Sequence, residues 1–162
     1  MERKDWKRAE SEARAALSAK GTTPVQAWSN LGIALDEQGN YDEAEKAFQR
    51  AIELDSSYWQ ARNNLATTYR KAGRSKEAAA LFERVLEQVP TDPDVHLELG
   101  DLYFGPLAEP ERARTHYNAV LRYAPKHPRA AEIRQRLAGG APGPEIPPQS
   151  TPHGDVSDTG KQ

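Results

Sequence analysis

Two stretches of the sequence decide the fold: residues 27–35 read AWSNLGIAL, and residues 61–69 read ARNNLATTY in the same register, 34 residues later. The correspondence continues through small and apolar residues at helical spacing: Gly39 and Gly73, Ala44 and Ala78, Phe48 and Phe82, Ile52 and Leu86. Apolar residues three and four positions apart predict amphipathic helices. Self-similarity at this period predicts a repeat protein whose unit is one pair of helices.

A third unit follows the first two, with Leu99, Gly100, Tyr103, Ala113 and Tyr117 at corresponding positions. The segment between its two helices, residues 105–110, is one residue longer than in the other units, and a surface loop tolerates such an insertion. The sequence therefore predicts an all-α chain with units at about 25–58, 59–92 and 93–127. Asp42, Ser75 and Asp92 are predicted to cap helices.

This pattern resembles the tetratricopeptide repeat (TPR) family, in which Trp, Leu, Gly and Tyr mark the first helix and Ala, Phe, Ala and Pro the second. The resemblance implies a right-handed α-solenoid of helix-turn-helix repeats. The matching positions are Trp28, Leu31, Gly32, Leu35, Tyr41, Ala44, Phe48, Ala51 and Ile52 in the first unit, and Leu65, Ala66, Tyr69, Gly73, Ala78, Phe82 and Pro90 in the second.

The segments on either side of the three units differ from them. Residues 1–24 are predicted to hold a leading helix in the register of a second helix, with Trp6, Ala9 and Ala13 on its apolar face. It is either a polar N-terminal cap or part of a longer array. Residues 25–138 are predicted to hold the three units and a capping helix from Pro128 to Ala138. Residues 139–162 contain five glycines and five prolines, which predicts a disordered tail.

Composition and motifs argue against catalysis and cofactors. The chain has no cysteine, which excludes disulfides, thiolate ligands and cysteine nucleophiles. No hydrolase, P-loop or zinc-protease motif occurs. The four histidines are scattered, so we expect solvated or packed rings and not a metal site. We predict that the protein is not an enzyme and needs no cofactor.

The charge pattern also limits the partners. The net charge is −2, so no overall field attracts nucleic acid. The basic residues near the end of the third unit are typical of helix C-termini, and we expect no nucleic-acid partner; they are Arg122, Lys126, Arg129, Arg134 and Arg136. The sequence has no signal-peptide pattern and no apolar run long enough to span a membrane, so the default expectation is a cytoplasmic protein.

In the TPR family, the first helices of successive units line a concave groove, and the resemblance implies that partner-binding residues lie on those helices. The resemblance places Ser29 and Asp36 of the first unit in this groove, in addition to the residues given next. The implied groove residues are Gln26, Asn30, Ile33 and Glu37 in the first unit, Gln60, Asn63, Asn64, Thr67, Arg70 and Lys71 in the second, and Asp94, Leu97, Glu98 and Asp101 in the third.

Asn30 and Asn64 occupy the same position in successive units, and an amide both donates and accepts hydrogen bonds. The pair resembles the asparagine ladder of peptide-binding TPR arrays; the alternative is that the asparagines brace neighbouring helices. Asp94, Glu98 and Asp101 make the third unit acidic, so we expect the basic or amino-terminal part of a bound peptide to lie there.

One specialisation of the family does not fit. TPR co-chaperones clamp the acidic C-terminus of cytosolic chaperones with Lys, Asn, Asn, Lys and Arg, and the matching positions here are Ser29, Ile33, Asn64, Asp94 and Glu98. Carboxylates in place of cations would repel a terminal carboxylate. The sequence thus predicts a non-catalytic adaptor that binds an extended peptide or protein. The alternatives are self-assembly through the ends of the solenoid, giving a homo-oligomer, and an interaction arm of a larger enzyme or secretion complex.

Overall fold

Every described element of the chain is an α-helix. The computed structural model describes residues 3–18 and 24–139. Its helices are α1 (Arg3–Ser18), α2 (Pro24–Asp36), α3 (Tyr41–Leu54), α4 (Trp59–Lys71), α5 (Ser75–Leu86), α6 (Pro93–Phe104), α7 (Pro110–Tyr123) and α8 (Ala130–Gly139). The tail predicted from residue 139 onward lies outside the described residues, apart from Gly139, which ends α8.

The helices form three stacked pairs, as the repeat predicts. α2 packs on α3, α4 on α5, and α6 on α7, and the pairs stack as a right-handed α-solenoid. α1 packs on α2 in the place of a preceding second helix, and α8 packs on α7 in the place of a following first helix. The first helices of the three units are therefore α2, α4 and α6.

Within the core, each second helix buries one large aromatic ring that corresponds to a small residue on the first helix of its unit. Phe48, Phe82 and Tyr117 are at most 1% exposed. A Cβ atom added to Gly32 would lie 2.6 Å from the Phe48 ring, and one added to Gly100 would lie 2.6 Å from the Tyr117 ring. The predicted small and aromatic positions are thus in direct contact, which explains why these glycines stand inside helices that would otherwise favour alanine.

The turns within the units share one backbone conformation. Gly39 and Gly73 have φ angles of 81° and 77°, and in each turn the following amide donates to a carbonyl five residues back. In the longer third turn, Ala108 takes this left-handed position, with φ at 53°. Because a Cβ atom crowds the backbone there, alanine costs about 1–2 kcal/mol relative to an ordinary conformation.

Only one of the three predicted helix caps is present. Asp92 caps α6 and accepts hydrogen bonds from the amides of Asp94 and Val95 at 3.0 and 3.1 Å. The predictions for Asp42 and Ser75 are wrong, because the glycine turns lead directly into the next helix. The capping positions are instead Asn40 and Arg74, and neither side chain makes a capping hydrogen bond.

A tyrosine, a carboxylate and an arginine recur at the two junctions between units and where the third unit meets α8. The Tyr69 hydroxyl donates to Glu45 at 2.7 Å, and the Arg74 guanidinium lies 3.9 Å from the centre of the Tyr69 ring. The other two sets are Tyr103 with Glu83 and Arg112, and Tyr117 with Asp101 and Arg136. We call these sets the tyrosine triads. Each triad connects three consecutive helices.

Two histidines form a partly buried pair between α6 and α7. The Nδ1 atoms of His96 and His116 are 3.0 Å apart, and Nε2 of His96 lies 3.1 Å from the Pro90 carbonyl oxygen. Because a carbonyl only accepts, His96 carries its proton on Nε2, and His116 donates from Nδ1. The rings of Tyr123 and Tyr103 stack against the two sides of this pair. The histidines are packed, as the sequence predicts for them.

Candidate partner-binding groove

Four of the predicted groove residues of the second and third units meet in one cleft between α4 and α6. This α4–α6 cleft has a volume of about 250 Å³. Asn63, Thr67, Asp94 and Glu98 line it, together with three residues that the sequence analysis did not assign to the site: Trp59, Asp92 and Val95. Trp59, Asn63 and Thr67 are four residues apart on α4 and so share one helix face. That spacing was the available signal for Trp59.

The predicted residues of the first unit line a different cleft. Gln26, Asn30 and Ile33 face α1 across a space of about 430 Å³, here called the α1–α2 cleft. Asn30 is exposed there, whereas Asn64 is half-buried and does not line either cleft. The asparagines that line the two clefts are therefore Asn30 and Asn63, and not the repeat-equivalent pair Asn30 and Asn64.

The two cations at the end of α4 connect the first helices to each other. Arg70 pairs with Glu98 of α6 at 2.8 Å. Lys71 pairs with Asp36, the last residue of α2, and at 2.8 Å with Glu37, which follows the helix. Burial alone would lower the pKa of the Lys71 ammonium, but the hydrogen bonds to Asp36 and Glu37 outweigh it and raise the pKa. These ion pairs therefore connect α4 to α6 and to the C-terminal end of α2.

The acidic residues of the third unit have different surroundings. Burial raises the pKa of Glu98, and the charge of Arg70 opposes this shift. Asp94 is 84% exposed and lies 3.4 Å from Nε2 of His127. Asp101 accepts hydrogen bonds from Tyr117 at 2.7 Å, Arg129 at 2.5 Å and Arg136 at 2.9 Å. Of the three carboxylates, Asp94 is the one most open to a ligand.

The remaining predicted positions lie outside the two clefts. Gln60 and Glu37 are exposed, and Leu97 packs against the hydrophobic core. Ser29 and Asp36 are buried, at 2% and 8% exposure, so their assignment to the groove surface is wrong. These two side chains lie on the face of α2 that packs inside the solenoid, and the family register alone does not distinguish that face from the concave one.

The basic residues at the C-terminal end are partly neutralised within the fold. Arg129 and Arg136 pair with Asp101 and with Glu132. Within residues 3–18 and 24–139, no group of three or more His, Asp or Glu side chains is arranged to hold a metal ion. No helix in this part of the chain combines the length and the apolar character that crossing a membrane requires.

Stacked helix pairs with a concave face formed by the first helices define a helical-repeat protein. The chain belongs to the tetratricopeptide repeat family, whose repeat models match residues 1–59, 35–96 and 69–137. This fold is typical of protein–protein interaction modules. The prediction of the family and of the all-α solenoid is confirmed.

Several known proteins are similar to this chain. Protein O-mannosyl-transferase Tmtc3 of Drosophila melanogaster is 29% identical over 96 residues, which cover 59% of this chain and 10% of the relative. The structure of MamA matches with a TM-score of 0.72 at 19% identity, over 85% of this chain and 80% of that one. YrrB, a TPR protein with an unusual peptide-binding site, matches with a TM-score of 0.68 at 26% identity, over 82% of this chain and 67% of that one. The chain spans a tenth or less of the curated relatives that it matches.

Proposed function

We propose that the chain is a non-catalytic interaction module that binds an extended segment of a partner protein in the α4–α6 cleft. The observation that carries the proposal is the composition of this cleft, where an amide, a hydroxyl, carboxylates and an indole lie on two adjacent helices. The similarity to YrrB, a TPR protein with a peptide-binding site, supports it.

Each side chain of the cleft has a defined part in this proposal. The Asn63 amide donates to and accepts from the backbone of the peptide, which requires no particular peptide sequence. The Thr67 hydroxyl donates to the Asn63 carbonyl at 3.1 Å, so its lone pairs remain as acceptors. Trp59 offers apolar surface to a side chain of the peptide. Because the helices already hold these groups in place, the side chains of the cleft lose little conformational entropy when the peptide binds.

The acidic side of the cleft gives the peptide a direction. Asp94 is exposed and Glu98 lies one helical turn further along α6. A lysine, an arginine or an amino terminus of the peptide therefore lies against α6, and an acidic carboxyl terminus is repelled. The proposed partner is a peptide with a basic segment, in contrast to the acidic chaperone C-terminus.

The amide contribution is tested with peptides selected from a displayed random library on the 162-residue chain. We expect Asn63→Ala to weaken the selected peptides about tenfold in fluorescence anisotropy, which corresponds to about 1.4 kcal/mol. Asn118→Ala, at an exposed asparagine of α7, is the matched control and leaves the affinity unchanged. Equal affinities for wild type, Asn63→Ala and Asn118→Ala would exclude this cleft as the binding site.

The charge contribution is tested with Asp94→Lys and the same peptides. We expect weaker binding, and a smaller dependence of affinity on salt, since the reversed charge removes the attraction to a basic segment. Asp42→Lys, at an exposed aspartate of α3, changes the net charge equally outside the cleft. If both variants lose the same affinity, the effect comes from net charge and not from the cleft.

The similarity to Tmtc3 favours a second candidate, in which these repeats are the interaction arm of a larger enzyme. That relative is named a transferase, and 96 of its residues align here. In this case the α4–α6 cleft binds in the same way, and the catalytic part belongs to another segment. The peptide experiments test the binding that both candidates share.

A further inference from the structure

The α1–α2 cleft differs from the equivalent place in the inner units. Within those units, the second helix presents a ring to its first helix: Phe48, Phe82 or Tyr117. Helix α1 aligns with α3 when Trp6 is matched to Tyr41 and Ala9 to Ala44. In this alignment Ala13 occupies the position of Phe48. A first helix that packed on α1 would meet a methyl group instead of a ring. No described residue fills this cleft, whose volume is about 430 Å³.

At the other end of the solenoid, α8 has a large residue at a position where the first helices of the inner units have a small one. Ile133 is fully buried and corresponds to Leu99 of α6, 34 residues earlier. In this register Arg134 stands where α6 has Gly100 and α4 has Ala66. The Arg134 side chain is exposed, and its hydrogen bond within the described residues is a 3.3 Å contact to the Pro125 carbonyl. The first-helix position that is small inside the array is therefore large in α8.

These two changes are complementary. Inside the array a small first-helix residue faces a large second-helix ring, and Gly32 with Phe48 is the example. At the two ends, a large first-helix residue, Arg134, and a small second-helix residue, Ala13, are both left without that partner among the described residues. Close packing requires the combined volume of the two facing side chains to be conserved. Arg134 therefore fits against Ala13 as Phe48 fits against Gly32.

We propose that a second copy of this chain inserts its α8 into the α1–α2 cleft, so that α8 of one copy and α1 of the next complete a fourth repeat unit. Exposed Ala131 and Ala138 flank Arg134 on α8 and allow a close approach to α1. Glu12 lines the cleft, and its ion pair with Arg8 is fully on the surface, at 66% and 81% exposure. It supplies a carboxylate for the incoming Arg134.

This contact joins two different surfaces of the same chain. Such a head-to-tail contact produces open chains, or rings if the rotation between copies closes. The interface uses the α1–α2 cleft and leaves the α4–α6 cleft open, so it is independent of the proposed peptide binding. Assembly would extend the row of first helices from one copy into the next.

The mass of the 162-residue chain, measured by light scattering over a concentration series, tests the proposal. We expect the mass to grow with concentration. Ala13→Phe places a ring under Arg134 and is expected to leave the chain monomeric. The double variant Ala13→Phe/Arg134→Ala restores growth, because it recreates the combination of Phe82 with Ala66 found in the second unit.

A control variant and circular dichroism separate assembly from folding. Ala15→Phe adds the same ring on an exposed position of α1 outside the cleft, and we expect it to assemble like wild type. All four proteins should have the same helical spectrum. A wild-type mass that stays at one chain at every concentration overturns the proposal, and so does a double variant that assembles no better than Ala13→Phe alone.

Discussion

Among the described residues, Ala108 is the non-glycine residue with a positive φ angle. It occupies the left-handed position that Gly39 and Gly73 occupy in the other turns. We expect Ala108→Gly to raise the free energy of unfolding by about 0.5–1 kcal/mol, since relief of the strain exceeds the entropy that glycine adds to the unfolded chain. Urea unfolding followed by circular dichroism measures the change. Ala72→Gly, next to Gly73 at an ordinary φ of −78°, is the control and should destabilise.

The His96–His116 pair makes the stability depend on pH in the acid range. Burial, together with the neighbouring His96, lowers the pKa of His116 from its ordinary 6.5 to about 4. The folded chain therefore takes up this proton less readily than the unfolded chain. The stability that His116 contributes is fully present above pH 6.5 and is lost as the pH falls toward 4. Glu83 and Arg112 also act on this ring, with opposite effects on its pKa.

His116→Asn removes the titration and keeps an amide donor near the Nδ1 position. We expect this variant to lose stability at neutral pH and to show a smaller further loss between pH 6.5 and 4 than wild type. The measurement is the urea midpoint at a series of pH values. Parallel pH profiles for the two proteins would mean that other groups account for the acid sensitivity.

At the scale of elements, α8 depends on one carboxylate of α6. Asp101 accepts hydrogen bonds from Arg129 and Arg136, which lie just before and within α8. We expect Asp101→Ala to lower the local free energy of opening of α8 by about 1.5–3 kcal/mol, the range for hydrogen bonds to charged groups. Amide hydrogen exchange measures this opening. Asp42→Ala is the control, because Asp42 is an exposed aspartate of α3, far along the chain from α8.

The sequence predicts elements better than it predicts their ends or their side-chain partners. The 34-residue period specifies the helices because it follows from packing, which requires Gly32 and Phe48 at fixed spacing. The cap predictions at Asp42 and Ser75 fail because residue type alone does not show at which residue the helix after a glycine turn begins. The arginine partners of Asp101 could not be predicted, since they lie 28 and 35 residues away, just before and within α8, whose orientation is a property of the folded stack.

The candidate site was only partly predictable for a related reason. The family register places the predicted residues on the first helices, except Glu37, which follows α2, but it does not state which neighbouring helix each side chain faces. Gln26, Asn30 and Ile33 face α1, while Asn63 and Thr67 face α6. The burial of Ser29 and Asp36 was likewise not predicted, because the register does not show which face of α2 a side chain lies on. Helix spacing would have grouped Trp59 with Asn63 and Thr67.

For the whole molecule, the stack predicts a graded stability. Each unit contacts only its neighbours, so units with two neighbours are held more firmly than the ends. We expect hydrogen exchange to be slowest in α4 and α5 and fastest in α1 and α8 when measured on dilute protein. Equal protection in all described helices would indicate a single cooperative unit instead of a graded array.

The tyrosine triads have a spectroscopic consequence at alkaline pH. Burial raises the pKa of Tyr69, Tyr103 and Tyr117 above the ordinary 10, and their hydrogen bonds to carboxylates add to the shift. The folded chain therefore holds these three phenolic protons more tightly than the unfolded chain, and stability is lost as the pH rises beyond 10. Because each triad lies at a different junction, the ultraviolet absorbance of the phenolates becomes a natural reporter. Replacing the three tyrosines one at a time with phenylalanine would assign each late ionisation step to one junction and show which junction opens first.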